Sequence, residues 1–151
     1  MSDHSQSEAT IEIGGYRMQL TLVDLIDLTL QIQHLRWNLV EEEALRIQLD
    51  DFDALVRVAS DTVAERLRQL GVAPDGRIGT AYLDQLFEPL PLGPFDARTA
   101  VTGFSHRLSQ FGDRIRESLE TLEEADPDSA QILHILTAEI SQWAEQFNMG
   151  G

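Results

Sequence analysis

Asp50, Asp61 and Glu65 share one stretch of the chain with Arg46, Arg57 and Arg68, and steps of three, four and seven residues put all six side chains on one stripe of a helix. Carboxylates at that spacing can do one of two things. They can pair along a solvated face with arginines a turn away, each pair contributing about 0.3–0.5 kcal/mol. They can instead gather, within one subunit or across two, into an oxygen-donor cluster for a cation. Dinuclear iron sites in helix bundles are built that way, from several carboxylates plus imidazoles projecting at i,i+3 or i,i+4, donors that suit Fe(II). Spacing leaves both readings open. No cysteine is present, which excludes disulfides, thiolate zinc sites and cysteine catalysis and confines any metal to oxygen or imidazole ligands. The imidazoles available are His4, His34, His106 and His134. No serine, histidine and acid grouping singles out hydrolytic chemistry.

The elements that position these residues belong to a chain of 151 residues, enough for one domain with a substantial core, 42% hydrophobic and with 5 prolines. Its net charge is −15, and all 11 basic residues are arginine. Contacts to phosphate need the opposite sign, so nucleic acid is not an expected partner. The acidity serves solubility, or else an inner surface that attracts cations. No apolar run approaches the ~20 residues of a membrane span. The opening MSDHSQSEAT lacks the basic and apolar segments of a secretory signal, so a cytoplasmic location is expected.

Periodicity predicts four long helices. The first runs from about Leu20 to Val40, with Thr21 as N-cap and apolar residues on several sides, which implies burial on more than one. The second, from about Glu43 to Leu70, carries a clean seam of Leu45, Leu49, Phe52, Val56, Ala59, Val63, Leu67 and Leu70 and stops at Gly71. A third is expected from around Asp96 to Glu124. A fourth follows the start signal Asp126–Pro127. The connection between the second and third, about 25 residues with a short helix at Thr80 to Phe87, is long enough to cross the bundle, the topology of ferritin-like folds. Residues 1–19, with Ile11, Ile13 and Tyr16, read as an extended, loose segment. The expected fold is therefore all-α, a single ferritin-like four-helix domain over residues 1–151 with its bundle at 20–147.

A resemblance to a known family sharpens this reading. It is carried by His34-Leu35-Arg36-Trp37-Asn38, by Leu45-Arg46 with Leu49-Asp50-Asp51, by Asp61-Thr62-Val63-Ala64-Glu65-Arg66, and by Gly71-Val72-Ala73-Pro74-Asp75-Gly76. On these the chain resembles the Dps family, the miniferritins, from about Leu20 to Phe147. The resemblance implies a four-helix subunit with a short helix in its long loop, assembled into a hollow spherical dodecamer that sequesters iron and protects against oxidative stress. It also implies an iron-oxidising centre between two subunits. One subunit supplies a histidine just before the tryptophan, then a histidine and an aspartate four apart. The other supplies an aspartate and a glutamate four apart. Asp50, Asp61 and Glu65 match the carboxylate positions. Arg36 and Arg46 stand at the two histidine positions, and Glu41, Glu42 and Glu43 replace a glycine-containing connection in a turn two residues shorter than usual.

Guanidinium stays protonated and has no lone pair to offer, so arginine cannot ligate iron. Two arginines facing three carboxylates can instead take over the electrostatic role of a dication. The leading expectation is an inter-subunit salt-bridge cluster of Arg36 and Arg46 with Asp50, Asp61 and Glu65, and weak or absent iron oxidation. The alternatives are a non-catalytic shell, a co-assembly partner for a related subunit, or a metal bound at a rearranged inter-subunit site. Trp37 lies near the site, as a redox neighbour by resemblance or as a buried aromatic. His34 lies about 200° around the helix from Arg36 and should face elsewhere. His106 and His134 match no ligand role, and His4 falls in the loose segment. DNA binding, which the family name suggests, is not expected, because twelve copies at −15 would carry roughly −180.

Overall fold

The computed structural model describes residues 7–150, with side chains for residues 7–147. After a π-helical turn at Thr10–Gly14 come α1 (Gly15–Asn38), α2 (Glu43–Gln69), a short α3 (Ile78–Leu83), α4 (Ala97–Ala125) and α5 (Pro127–Gly150). The four long helices form a bundle in which α1 packs on α2, α4 on α5, α2 on α5 and α1 on α4. Along the last of these seams Arg17 pairs with Glu117 and Asp24 with Arg114, so α1 and α4 run antiparallel.

Sequence explains most of the boundaries. The α2 seam from Leu45 to Leu67 is buried throughout. The helix then ends in a Schellman motif: Gly71 takes φ +81°, its N–H reaches Arg68 O at 2.9 Å, and the Val72 N–H reaches Leu67 O at 2.9 Å. Asp96 caps α4 by accepting from the Thr99 N–H at 2.8 Å. Pro127 opens α5 where its missing N–H costs nothing.

Three expectations need correction. The segment read as extended is helical from Glu8 onward. The two-residue spacing of Ile11 and Ile13 mimics a strand, but tertiary contacts decide the conformation. The Thr10 hydroxyl donates to Ala125 O at 2.8 Å, and Ile13 packs on the core. Second, Thr21 caps nothing. It sits buried within α1, donating back to Arg17 O at 2.9 Å. Third, the short helix covers Ile78–Leu83 rather than Thr80 to Phe87.

The crossover is fastened at both ends to α1. Near its start, Gln19 exchanges two hydrogen bonds with the backbone of Asp75, at 2.9 and 3.0 Å. At its far end the Phe95 N–H donates to Asn38 O at 2.8 Å, the Val40 N–H donates to Phe95 O at 3.1 Å, and His34 donates from Nε2 to Pro91 O at 2.9 Å. These bonds clamp the α1–α2 turn, the place where Arg36 and Arg46 stand.

The other end of the bundle turns on Arg66. Its guanidinium is buried, 2.7 Å from Asp126 Oδ1, with Nε donating to Ser129 Oγ at 3.0 Å. Gly14 lies so close to this pair that a Cβ there would fall 2.3 Å from Asp126 Oδ2. Truncation by Arg66→Ala leaves a buried carboxylate without its cation and should cost about 3–5 kcal/mol in chemical denaturation. Gly14→Ala should also lower the midpoint, whereas Gly79→Ala, which meets nothing, should change it little.

Candidate metal centre

Arg36 lies in the last turn of α1 and Asp50 in the second turn of α2, and the short turn between the helices brings them together. Arg36 Nε is 2.8 Å from Asp50 Oδ1, with side chains 35% and 56% exposed. Arg46 does something different. Its Nε donates to Arg36 O at 3.4 Å and one terminal nitrogen donates to Leu39 O, while the other lies 3.8 Å from Glu43. Those carbonyls are among the last of α1, which have no partner inside the helix and carry the negative end of its dipole. Arg46 thus caps α1 from the neighbouring helix and makes no ion pair with Asp50.

The tight turn between α1 and α2 has a conformational cost. Glu41 takes φ +52°, the left-handed region where glycine sits freely and a residue with a Cβ does not. The Arg46 cap and the Phe95 clamp hold it there.

Asp61 and Glu65 lie elsewhere on the molecule. Both are exposed on the outer face of α2, beside a shallow groove shared with Thr62, Gln69 and Ile132. Glu65 is 3.4 Å from Arg68, and Asp61 forms no ion pair or hydrogen bond among the described residues. The helical rise separates Asp61 from Asp50 by about 16 Å, so one copy of the chain cannot bring all three carboxylates to one ion. Any centre using all of them needs a second copy.

The flanking aromatics divide. Trp37 is 72% exposed on the same turn as Arg36, so within one chain it is not the buried aromatic that sequence allows. Trp143 belongs to the core, stacked on Phe52 and Phe147 at centroid distances of 4.2 and 4.5 Å, with its N–H on Gln48 O. His34 is held to the crossover and faces away from Arg36, as its position around the helix requires. His134 sits 2.5 Å from Glu123 on the surface, His106 is exposed, and His4 lies outside the described residues.

Sequence reasoning missed a second polar group, buried between α1 and α4. Asp24, Asp27 and Gln31 meet Arg107 and Arg114 there. Their spacing of three and four residues within an otherwise apolar α1 was the available signal.

No family model matches the chain. It is similar to the DNA protection during starvation protein 2 of Deinococcus radiodurans, 29% identical over 136 residues, covering 83% of this chain and 54% of that protein. It is also similar to the DNA protection during starvation protein of Mycolicibacterium smegmatis, 28% identical over 130 residues, covering 83% of this chain and 71% of that one. The chain thus spans about half the length of the first of these relatives. Its fold matches the crystal structure of Dps92 from Deinococcus radiodurans with a TM-score of 0.88 at 25% identity, covering 93% of this chain and 86% of that one. In sequence and in fold alike, the chain is similar to Dps proteins. Arg36 and Arg46, the positions at which the family resemblance implies histidines, both lie beside the α1–α2 turn.

The two arginines differ in what they hold, and their removal should differ accordingly. Arg46→Ala uncaps α1 and should lower stability by about 1–2 kcal/mol. Arg36→Ala breaks a half-exposed pair and should cost under about 1 kcal/mol. Urea midpoints of the two variants measure the order.

Proposed function

We propose that this protein is the subunit of a Dps-type cage in which an arginine stands where the inter-subunit iron centre would form. The observation that carries this reading is the contact between Arg36 Nε and Asp50 Oδ1 at 2.8 Å. It places a fixed positive charge on a carboxylate that matches a family ligand position, and a guanidinium has no lone pair with which to ligate. In the assembled shell of twelve, Asp61 and Glu65 of a neighbouring copy complete the cluster around Arg36 and Asp50. Their exposure in the single chain, and the absence of any partner for Asp61 among the described residues, fit that role.

Iron in this reading is cargo. The cage takes it up or contributes to protection against oxidative damage without a rapid oxidation centre of its own. The acidic chain, at −15, attracts cations and disfavours phosphate, so DNA is not its partner. Among the described residues no helix is long and apolar enough to cross a membrane.

Given Fe(II) with oxygen or peroxide, the purified protein should oxidise iron no faster than a protein-free control. Fast, saturable oxidation that disappears in Asp61→Ala would contradict the proposal. The double substitution Arg36→His with Arg46→His returns imidazoles to both positions and should raise the oxidation rate well above that of the parent. A variant that assembles with no gain would count against the arginines as the cause.

A further inference from the structure

The polar seam between α1 and α4 has no part in the arginine centre. On α1, Asp24 is wholly buried and Gln31 nearly so. On α4, Ser118 is wholly buried and Arg107 nearly so, and Arg114 reaches in beside Asp24. The crossover closes the seam: buried Phe87 lies beside Asp27, and Arg107 donates to Glu88 O at 3.0 Å and Pro89 O at 3.1 Å as well as to Gly103 O at 2.8 Å.

The groups are close but poorly joined. Arg114 Nε lies 3.3 Å from Asp24 Oδ2 without the alignment of a hydrogen bond, and a terminal nitrogen lies 3.5 Å from Oδ1. Both distances exceed the roughly 2.7–2.9 Å of a charge-assisted bond. Asp24 Oδ2, Asp27 Oδ2, Gln31 Oε1, Arg114 Nε and Ser118 Oγ are all buried and have no hydrogen-bond partner in the protein. Four can accept and two can donate. Orphans of both kinds on one seam are what bridging water satisfies, since a buried water needs two to four polar partners.

Charge points the same way. The groups facing Asp24 are Asp27 on its own helix and Arg114 on α4; Arg107 faces Asp27, exposed Glu88 of the crossover lies beside Arg107, and the Arg17–Glu117 pair lies toward the start of α1. Buried Asp24 thus has the like charge of Asp27 on its own helix and, against it, only the misaligned guanidinium of Arg114.

We propose that the α1–α4 seam is a binding site for one proton, carried by Asp24, and for ordered water joining Asp24 to Arg114. Burial is the largest influence on Asp24 and pushes its carboxyl up from 3.8 to about 7, against the attraction of Arg114. The folded chain therefore holds a proton that the unfolded chain has already released, between about pH 4 and pH 7. Stability from this group is fully present below that window and is lost as pH rises through it.

Infrared difference spectra of the intact protein test the assignment. A buried carboxylic-acid carbonyl band should be present at about pH 5, disappear on passing through neutrality, persist in Asp27→Asn and be missing from Asp24→Asn. No such band in the parent protein would overturn the proposal, as would a band unchanged in Asp24→Asn. Thermal melts of the parent should fall by several degrees from about pH 5 to about pH 8, and the Asp24→Asn curve should be flatter. An equal fall in both proteins would assign the pH dependence to another group. If Asp24→Asn fails to fold, the titrating band in the parent and in Asp27→Asn still decides the matter. A high-resolution crystal structure should place ordered water on Asp24 Oδ2 and Arg114 Nε, and a dry seam would overturn that half of the proposal.

Discussion

Arg66 reaches from the last turns of α2 into the α4–α5 corner, and two separate parts of the chain are arranged around its guanidinium. Asp126 and Ser129 take its hydrogen bonds, Asp126 also caps the start of α5, and Gly14 must lack a side chain because the carboxylate lies against it. A lysine could not do this. One compact ammonium has neither the planar fork nor the reach to meet a carboxylate and a hydroxyl at fixed angles inside a core.

The other end of the bundle shows the same chemistry put to different uses. Arg46 caps the carbonyls of α1, Arg36 holds Asp50, and Arg107 binds three carbonyls around the crossover. In a chain without lysine, arginine makes all of these internal contacts. The strained Glu41 and the clamp of Phe95 on the turn belong to this arrangement, since a short turn brings the start of α2 close enough for Arg46 to reach back across it.

Much of this was legible in the residues. The α2 seam, the stop at Gly71 and the start at Asp126–Pro127 are local signals, and local signals place helix ends well. The first residues misled, because Ile11 and Ile13 alternate like a strand while the helix they form is held by Ala125 and Asp126 more than a hundred residues away. Arg46 as a cap was not readable, since no local pattern joins a guanidinium to carbonyls seven and ten residues earlier. Asp24, Asp27 and Gln31 were visible as polar residues at helical spacing, but which side of α1 is covered depends on the crossover. The relation of Asp61 and Glu65 to Arg36 lies beyond one chain altogether, because about 16 Å of helix separates Asp61 from Asp50.

The central claim is that arginine occupies the place of iron between two copies of the chain. A crystal of the assembled protein soaked in Fe(II), with anomalous scattering collected at the iron edge, addresses it directly. No iron peak should appear at the subunit boundary, and the Arg36 guanidinium should contact Asp50 together with Asp61 or Glu65 of the neighbouring copy. An iron peak between Asp50 and those two carboxylates, with Arg36 turned away, would contradict it.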